Sequence, residues 1–313
     1  MKPSDLHVVC AVFNPIRWNS RTALYKNFEE HMLDSGVSLT LVECALGNRP
    51  FELSGRPNIN YIPVRAKTLA WNKENLINIG ISRLPDSAQR IAWIDADVEF
   101  RNDDWAMDTL HALEQYPVVQ PWSEALDLGP NGTPMFIKGS HLHTAFCKVW
   151  RHEGKIVKEP YGYAHPGYAW AARRSVLDSL GGLLETCGLG AADHQMAMAM
   201  IGDIDNAIHG KTTVDYQQQI RNWAKRAETF VAGKIGYCQG VLEHFFHGEK
   251  AKRQYHGRWQ ILVDHEFSPS TDLRRNSYGV IEFTGNKPAL EIAADRYYRQ
   301  RDEDQNVLFE GRQ

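Results

Sequence analysis

Apolar residues along the first half of the chain fall into short blocks that alternate with amphipathic stretches. Leu6–Phe13 (LHVVCAVF) is an unbroken apolar run of strand length, stopped by Asn14-Pro15. Over Asn19–Asp34 the period lengthens. Leu24, Phe28 and Met32 lie four apart on one face of a helix, which Gly36 ends. Residues 38–43 and 60–64 read as two more strands, with a turn-rich loop over 47–57 between them. A helix is expected over about 71–83, carrying Leu76, Ile79 and Gly80 inward until Leu84-Pro85-Asp86 breaks it. Residues 91–94 form the next buried strand. Strand, helix, strand, strand, helix, strand predicts an α/β fold with a mostly parallel central sheet covered by helices.

The second half is less regular. A helix over Trp105–Gln115 and a strand over 118–121 are followed by a stretch, 123–165, rich in Gly, Pro, His and aromatics that shows no clear period. Residues 168–172 read as a strand leading into a helix over 175–180, stopped by Gly181-Gly182. A helix over 195–201 carries Met196, Met198 and Met200, which suit core filling. Val214–Phe230 is an amphipathic charged helix, and 235–246 one long strand. Residues 268–313 mix turns, a short β run over 280–283 and a charged tail. There is no internal repeat or linker, so we expect a domain over 1–265 and a C-terminal extension over 266–313.

Composition narrows the class. Of 313 residues, 43% are apolar and 23% charged, which is ordinary for a globular chain long enough to bury a large core. The net charge of −3 gives no global attraction to nucleic acid or anionic membrane. Five cysteines without a Cys-x-x-Cys signal neither a disulfide framework nor a zinc cluster, and Cys10 and Cys44 sit in apolar runs as core thiols. No apolar stretch reaches 18 residues, so no membrane span is expected, and the opening residues are too short for a signal peptide. A reduced, cytoplasmic compartment is the expectation.

The chemistry concentrates at the end of the 91–94 strand, in Asp95-Ala96-Asp97. Residues i and i+2 of an extended segment share a face, so the two carboxylates should leave the strand side by side. Such a pair invites a hard divalent cation, Mg2+ or Mn2+. Beyond strand carboxyl ends is also where open α/β sheets bind ligands. The alternative is a solvated acidic turn.

Taken in order, the features resemble a GT-A-type glycosyltransferase, similar to family 2 and its relatives. These features are the strand ending in Asn14-Pro15, the strand ending in Glu43, and Trp71-Asn72-Lys73-Glu74-Asn75. They continue with Trp93-Ile94-Asp95-Ala96-Asp97, Gly167 to Trp170, the glycine-bearing loop from Gly188 to Asp193, and His244-Phe245-Phe246-His247-Gly248. The resemblance covers about residues 6–265. It implies a nucleotide-sugar donor, with a UDP-sugar expected, and inversion at the transferred carbon. It implies that Phe13, Asn14 and Glu43 hold the base and ribose, that Asp95 and Asp97 hold metal and ribose, and that Asp193 is the general base. A histidine after the last core strand, His247 or His244, would be a further metal ligand. The chain departs from the commoner late Glu-Asp pattern by reading Ala192-Asp193, and Asp193 could instead cap the helix that follows it.

On physical grounds the departing diphosphate needs cationic groups, for which Lys73, Arg253 and Arg258 are candidates against solvated helix faces. Trp170 and Tyr168 could stack on a sugar or fill the core. His244 and His247, three apart, would face opposite ways in an extended chain, so His247 at the strand exit is the expected ligand, with Gly248 turning the backbone closely past a diphosphate. Imidazole favours Mn2+ over Mg2+. The acceptor is open between a glycan, a protein, a small molecule and a nucleic acid base. His141, His143, Lys148, Arg151 and Lys155 make the middle segment locally basic, which suits an anionic acceptor. A haloacid-dehalogenase phosphatase would need Thr or Val where Glu99 stands, and a sugar-nucleotide pyrophosphorylase a glycine-rich loop where Asn14-Pro15-Ile16-Arg17-Trp18 stands. A non-catalytic carbohydrate- or nucleotide-sugar-binding protein and a metal-dependent phosphoryl-transfer enzyme remain the alternatives.

Overall fold

The computed structural model describes residues 1–53, 56–136, 142–157, 164–253 and 257–305. The first half follows the predicted alternation: β1 (Leu6–Phe13), α1 (Asn19–Asp34), β2 (Ser38–Leu46), β3 (Asn60–Ala66), α2 (Lys73–Ser82) and β4 (Arg90–Ile94). Then come β5 (Val98–Phe100), α3 (Trp105–Gln115), β6 (Val118–Gln120), β7 (Glu124–Asp127), β8 (Leu142–Thr144) and α4 (Phe146–Glu153). They lead into β9 (Ala169–Arg173), α5 (Arg174–Leu180), α6 (Ala192–Met200) and α7 (Val214–Phe230). The chain continues through β10 (Ile235–Tyr237), β11 (Val241–His244), α8 (Gly257–Asp264), α9 (Pro269–Asp272), β12 (Leu273–Arg275), β13 (Ile281–Phe283) and α10 (Pro288–Gln300).

The central sheet has the order β10-β6-β9-β4-β1-β2-β3. Neighbours are parallel except β9, which runs against both β4 and β6. This is a mixed α/β architecture with a mostly parallel central sheet and helices on both faces, as expected. Alternation along β1 explains the covering: Val9 belongs to the core shared with α2, α6 and α7, whereas Val8 and Cys10 belong to the one shared with α1 and α3. Cys10 and Cys44 are buried, as are Met196, Met198 and Met200. No helix among the described residues is long and apolar enough to cross a membrane.

A second sheet, β5-β11-β7-β8, stands beside the first and decides where the chemistry lies. In β11, His244 pairs with Val98 of β5 on one side and with Asp127 of β7 on the other. The expected single strand over 235–246 is therefore two strands in two sheets. The break falls at Gly240, whose φ of +143° carries the chain from one sheet to the other. The charged tail also differs from expectation, because residues 288–300 of it form α10. Pro288 opens that helix, and Leu290, Ala294, Tyr297 and Tyr298 turn inward at helical spacing.

Helix α2 lies close on the sheet because Gly80 has no side chain. A Cβ there would overlap Val9 and lie 3.0 Å from Cγ2 of Val42. Alanine improves helix propensity by about 1 kcal/mol, but forcing it against two β-branched side chains costs about 1–3 kcal/mol. Gly80→Ala should therefore lower stability by about 1 kcal/mol, read as a shift in the denaturant midpoint. An unchanged or higher midpoint would show that α2 can slide outward freely.

Candidate active site and metal centre

A cavity of about 670 Å3 opens at the carboxyl ends of β1 and β4. Its floor carries Asp95 and Asp97, which stand in the turn between β4 and β5 and not on an extended strand as predicted. The side-by-side parity of a strand does not apply to a turn, and the two carboxylates part company. Asp95 forms an ion pair with the Lys73 ammonium at the start of α2. Asp97 turns toward β11, where its Oδ2 lies 3.0 Å from His247 Nε2. Backbone bonds fix the turn at both ends: Asp95 N–H donates to Tyr168 O at 2.8 Å, and Phe245 N–H to Asp97 O at 2.9 Å.

Asp97, His244 and His247 each offer a ligand atom, all within 4.8 Å of one another. Both histidines reach the same space: β11 ends at His244 and residues 245–247 belong to no strand, so the strand alternation behind the expectation that they face opposite ways does not carry through to His247. His244 Nδ1 is 2.7 Å from Asp127 Oδ1, which accepts its proton and leaves Nε2 bare. That Nε2 is 3.3 Å from His247 Nε2. Arg253 Nη2, which can only donate, is 3.0 Å from the same His247 Nε2. One nitrogen thus faces a donor, an anion and another imidazole nitrogen, and no placement of one proton suits all three. Asp97 Oδ1 is buried without a hydrogen-bond partner among the described residues. A divalent cation among Asp97, His244 and His247 would resolve both, and a set of two imidazoles and one carboxylate suits Mn2+ better than Mg2+. Asp95, held by Lys73, is not part of this group.

Charge around the cavity is mixed. The described lining residues include five cations (Arg21, Lys73, Arg253, Arg258, Arg301) and four carboxyl groups (Glu74, Asp95, Asp97, Asp193). Burial alone would raise the Asp97 pKa, but His247, His244 and Arg253 outweigh it and hold this carboxyl far below the usual range. Burial, with help from Asp97 and Asp193 and against Lys73, pushes Asp95 up. Burial lowers Lys73, but Asp95, Glu74 and Asp193 more than reverse this, so the ammonium stays charged. Burial keeps His244 below its ordinary value, in its metal-binding neutral form. Glu74, in the first turn of α2, is pushed up to about 7 by burial and by Asp193, against Lys73.

Other predicted residues sort clearly. Phe13 lines the cavity and meets Tyr298 edge-on, with ring centroids 6.2 Å apart. Asn14 and Glu43 lie in a small adjoining recess. Asn14 holds the turn at Trp18 and accepts its N–H at 2.9 Å. Glu43 accepts from Glu52 N–H at 2.6 Å and from the Tyr61 hydroxyl at 2.5 Å, so its oxygens already anchor the following loop. Trp170 is buried, stacks on Trp93 and donates to Pro166 O at 2.7 Å, which makes it core and not a sugar platform. Tyr168 does line the cavity. Arg253 and Arg258 are both buried at its wall and are not solvated helix residues.

Asp193 also lines the cavity. It is the second residue of α6 and not its cap, the cap position being taken by Ala191. A Cβ on Gly190, at φ +100°, would lie 2.9 Å from Arg258, so glycine lets this loop close over the guanidinium. Gly248 does not face a diphosphate site: a Cβ there would meet Glu303 Cα at 3.0 Å, so it seats the C-terminal segment. Of the basic middle segment, His141 lies outside the described residues. His143 is buried against Asp127, Lys148 pairs with Glu124 at 3.0 Å, and Arg151 covers the Tyr116 ring, so the surface there is less cationic than the sequence suggests.

Sequence reasoning missed the contribution of the tail. Tyr298 stacks near Trp71 at 6.2 Å, and the Arg301 guanidinium lies 5.5 Å over the same indole. Glu303, almost wholly buried, accepts from Arg21 Nη2 at 2.8 Å and from Arg301 Nε at 2.7 Å, and lies 3.6 Å from His247 Nδ1. The inward spacing of α10 was a usable signal. Asp127 gave none, since an aspartate in an unperiodic stretch cannot be told from a loop residue.

No family model matches the chain, and a search of the curated proteins finds no relative. Solved structures do resemble its course. A Drosophila β1,4-galactosyltransferase 7 mutant in complex with manganese, UDP-Gal and xylobiose is 11% identical, with 91% of this chain and 98% of that one covered and a TM-score of 0.42. S. aureus TarS in complex with UDP-GlcNAc is 8% identical, covering 96% and 82%, with a TM-score of 0.42. A 4-diphosphocytidyl-2C-methyl-D-erythritol synthase from Anaerococcus prevotii is 9% identical, covering 76% and 88%, with a TM-score of 0.35. Likeness at this level reaches no further than the path of the backbone, and the cavity's own residues have to carry the function.

The raised Glu74 has a pH signature. A carboxyl whose folded pKa exceeds its unfolded one favours the fold below the unfolded value and loses that advantage as pH rises through the folded value. Between pH 4.5 and about 7 the wild type should therefore lose stability relative to Glu74→Gln, by up to about 3 kcal/mol. Denaturant midpoints of the two proteins across that range, in chelator, measure it. A constant difference would mean that Glu74 is solvated.

Proposed function

We propose that this protein is a metal-dependent glycosyltransferase that moves a sugar from a nucleotide-sugar donor, with a UDP-sugar preferred, to an acceptor hydroxyl with inversion. The observation that carries the reading is the pairing, in one cavity, of the Asp97–His244–His247 cluster with buried guanidinium groups and a separate carboxylate, Asp193. A cation held by Asp97, His244 and His247 would neutralise charge on a departing diphosphate. Arg253 and Arg258, largely buried at the wall, bind the same oxygens by charge-assisted hydrogen bonds. Lys73 keeps Asp95 in place and adds positive charge at the floor. Asp193 receives the acceptor's proton at its carboxylate, and inversion is the outcome of direct displacement assisted by such a base. Phe13, Tyr298 and Trp71 offer aromatic faces to a base or sugar. The closed Glu43 recess points to those rings and not to Glu43 as the base contact. The acceptor class is left to experiment, and a carbohydrate is the first to try.

Incubation with a panel of sugar nucleotides should release nucleoside diphosphate, with Mn2+ more effective than Mg2+ and chelator abolishing release. Asp97→Asn should eliminate turnover and the metal dependence of UDP binding by calorimetry. Asp193→Asn should lower transfer by about 100-fold or more while UDP affinity stays within twofold. Tight, metal-dependent UDP-sugar binding without release under any acceptor would instead indicate a non-catalytic binding protein.

A further inference from the structure

Asp127 lies at the end of β7 with none of its surface exposed. A carboxylate so placed needs donors, and three described side chains are among those that reach it. Its Oδ1 accepts from His244 Nδ1 at 2.7 Å and from the Tyr168 hydroxyl at 2.9 Å, and its Oδ2 is engaged by His143 Nε2. The parallel register of β7 with β11 sets Asp127 directly beside His244. The antiparallel register of β11 with β5 sets His244 beside Val98, next in sequence to Asp97. Two ladders therefore align a carboxylate, an imidazole and a second carboxylate in a row.

We propose that Asp127 is a positioning residue for the cation site: it keeps His244 protonated on Nδ1, so that the Nε2 lone pair is directed at the space shared with Asp97 and His247. This rests on the cation reading above and extends it to a residue that touches neither cation nor substrate. The imidazole has two ring nitrogens and, when neutral, one proton; whichever nitrogen faces an anion keeps the proton. An acceptor-only carboxylate behind Nδ1 thus decides the chemistry at Nε2, two bonds away across Cε1. Tyr168 and His143 in turn fix the carboxylate, so His244 cannot swing without giving up its own bond to an acceptor that stays in place. A role in packing alone would predict no link between Asp127 and which ring nitrogen is protonated.

Asp127→Asn separates these readings, because the amide keeps the shape and can donate to Nδ1. Long-range 15N–1H spectra of the histidine rings in metal-free protein should show His244 protonated on Nδ1 in the wild type and on Nε2 in the variant. Calorimetric Mn2+ affinity should fall by about 10- to 100-fold in the variant. An identical tautomer in both proteins, or Mn2+ affinity within twofold of wild type, would overturn the proposal. If Asp127→Asn binds Mn2+ normally while Asp97→Asn does not, the cation site stands and the role of Asp127 falls. A wild type that binds no Mn2+ overturns both. Should Asp127→Asn fail to fold, the wild-type spectrum still decides: a His244 ring protonated on Nε2 refutes the assignment.

Discussion

The inner end of the cavity is arranged by the need to hold carboxylates out of water. Removing an ionised carboxylate from solvent costs several kcal/mol even after the surroundings relax. Hydrogen bonds to a charged acceptor return about 1.5–3 kcal/mol each, so a group like Asp127 needs several donors to be tolerated, and three described side chains are among those that supply them. Those donors come from β8, the residue before β9, and the end of β11. The small second sheet exists in this register because any slip by one residue would turn His244 away and strand the charge. The same logic governs Glu303, which gathers Arg21 and Arg301 from opposite ends of the chain.

Much of this was legible in the sequence where one local rule dominates. The apolar block of β1 and the four-residue spacing in α1 and α7 gave bounds that match the structure, because burial on one face fixes the period. The carboxyl end of β4 opens into the cavity, and Asp95, Asp97, Asp193, His244 and His247 all line it. What local rules could not supply was direction. Strand parity misjudged both the Asp95/Asp97 pair and the two histidines, because Asp95 and Asp97 sit in the turn after β4 and His247 lies beyond the end of β11. Glu43 and Trp170 carry residue types that suit ligand contact, yet each is consumed by neighbours that only the folded chain brings near. The pairing of β7 with β11 is non-local, and Asp127 stayed invisible for that reason.

The site combines tight and loose parts. Asp127, His244 and the turn at Asp97 are locked by ladders and by bonds between 2.7 and 2.9 Å. Arg253 and His247, by contrast, make contacts that conflict in their proton demands. Binding an anion would draw Arg253 off His247 and release that conflict, so part of the binding energy comes from relieving an arrangement the fold already holds. A polar network left partly unsatisfied is poor for stability and useful for affinity.

The closure of the cavity by residues 297–304 has a consequence for how the protein is made. Asp304 accepts backbone N–H groups of Asn19 and Ser20 at 2.9 and 2.8 Å, contacts that span 285 and 284 positions. Synthesis proceeds from the N-terminus, so β1, α1 and the Asp97 turn are all available long before their last wall leaves the ribosome. Until then Arg21 lacks Glu303, Phe13 lacks Tyr298, and Gly248 faces open space. Contacts of such long range are slow to form because loop closure precedes any gain from them. The nascent chain can therefore bury its sheet early, but the pocket acquires its final shape only once residues 297–304 have been made and have docked.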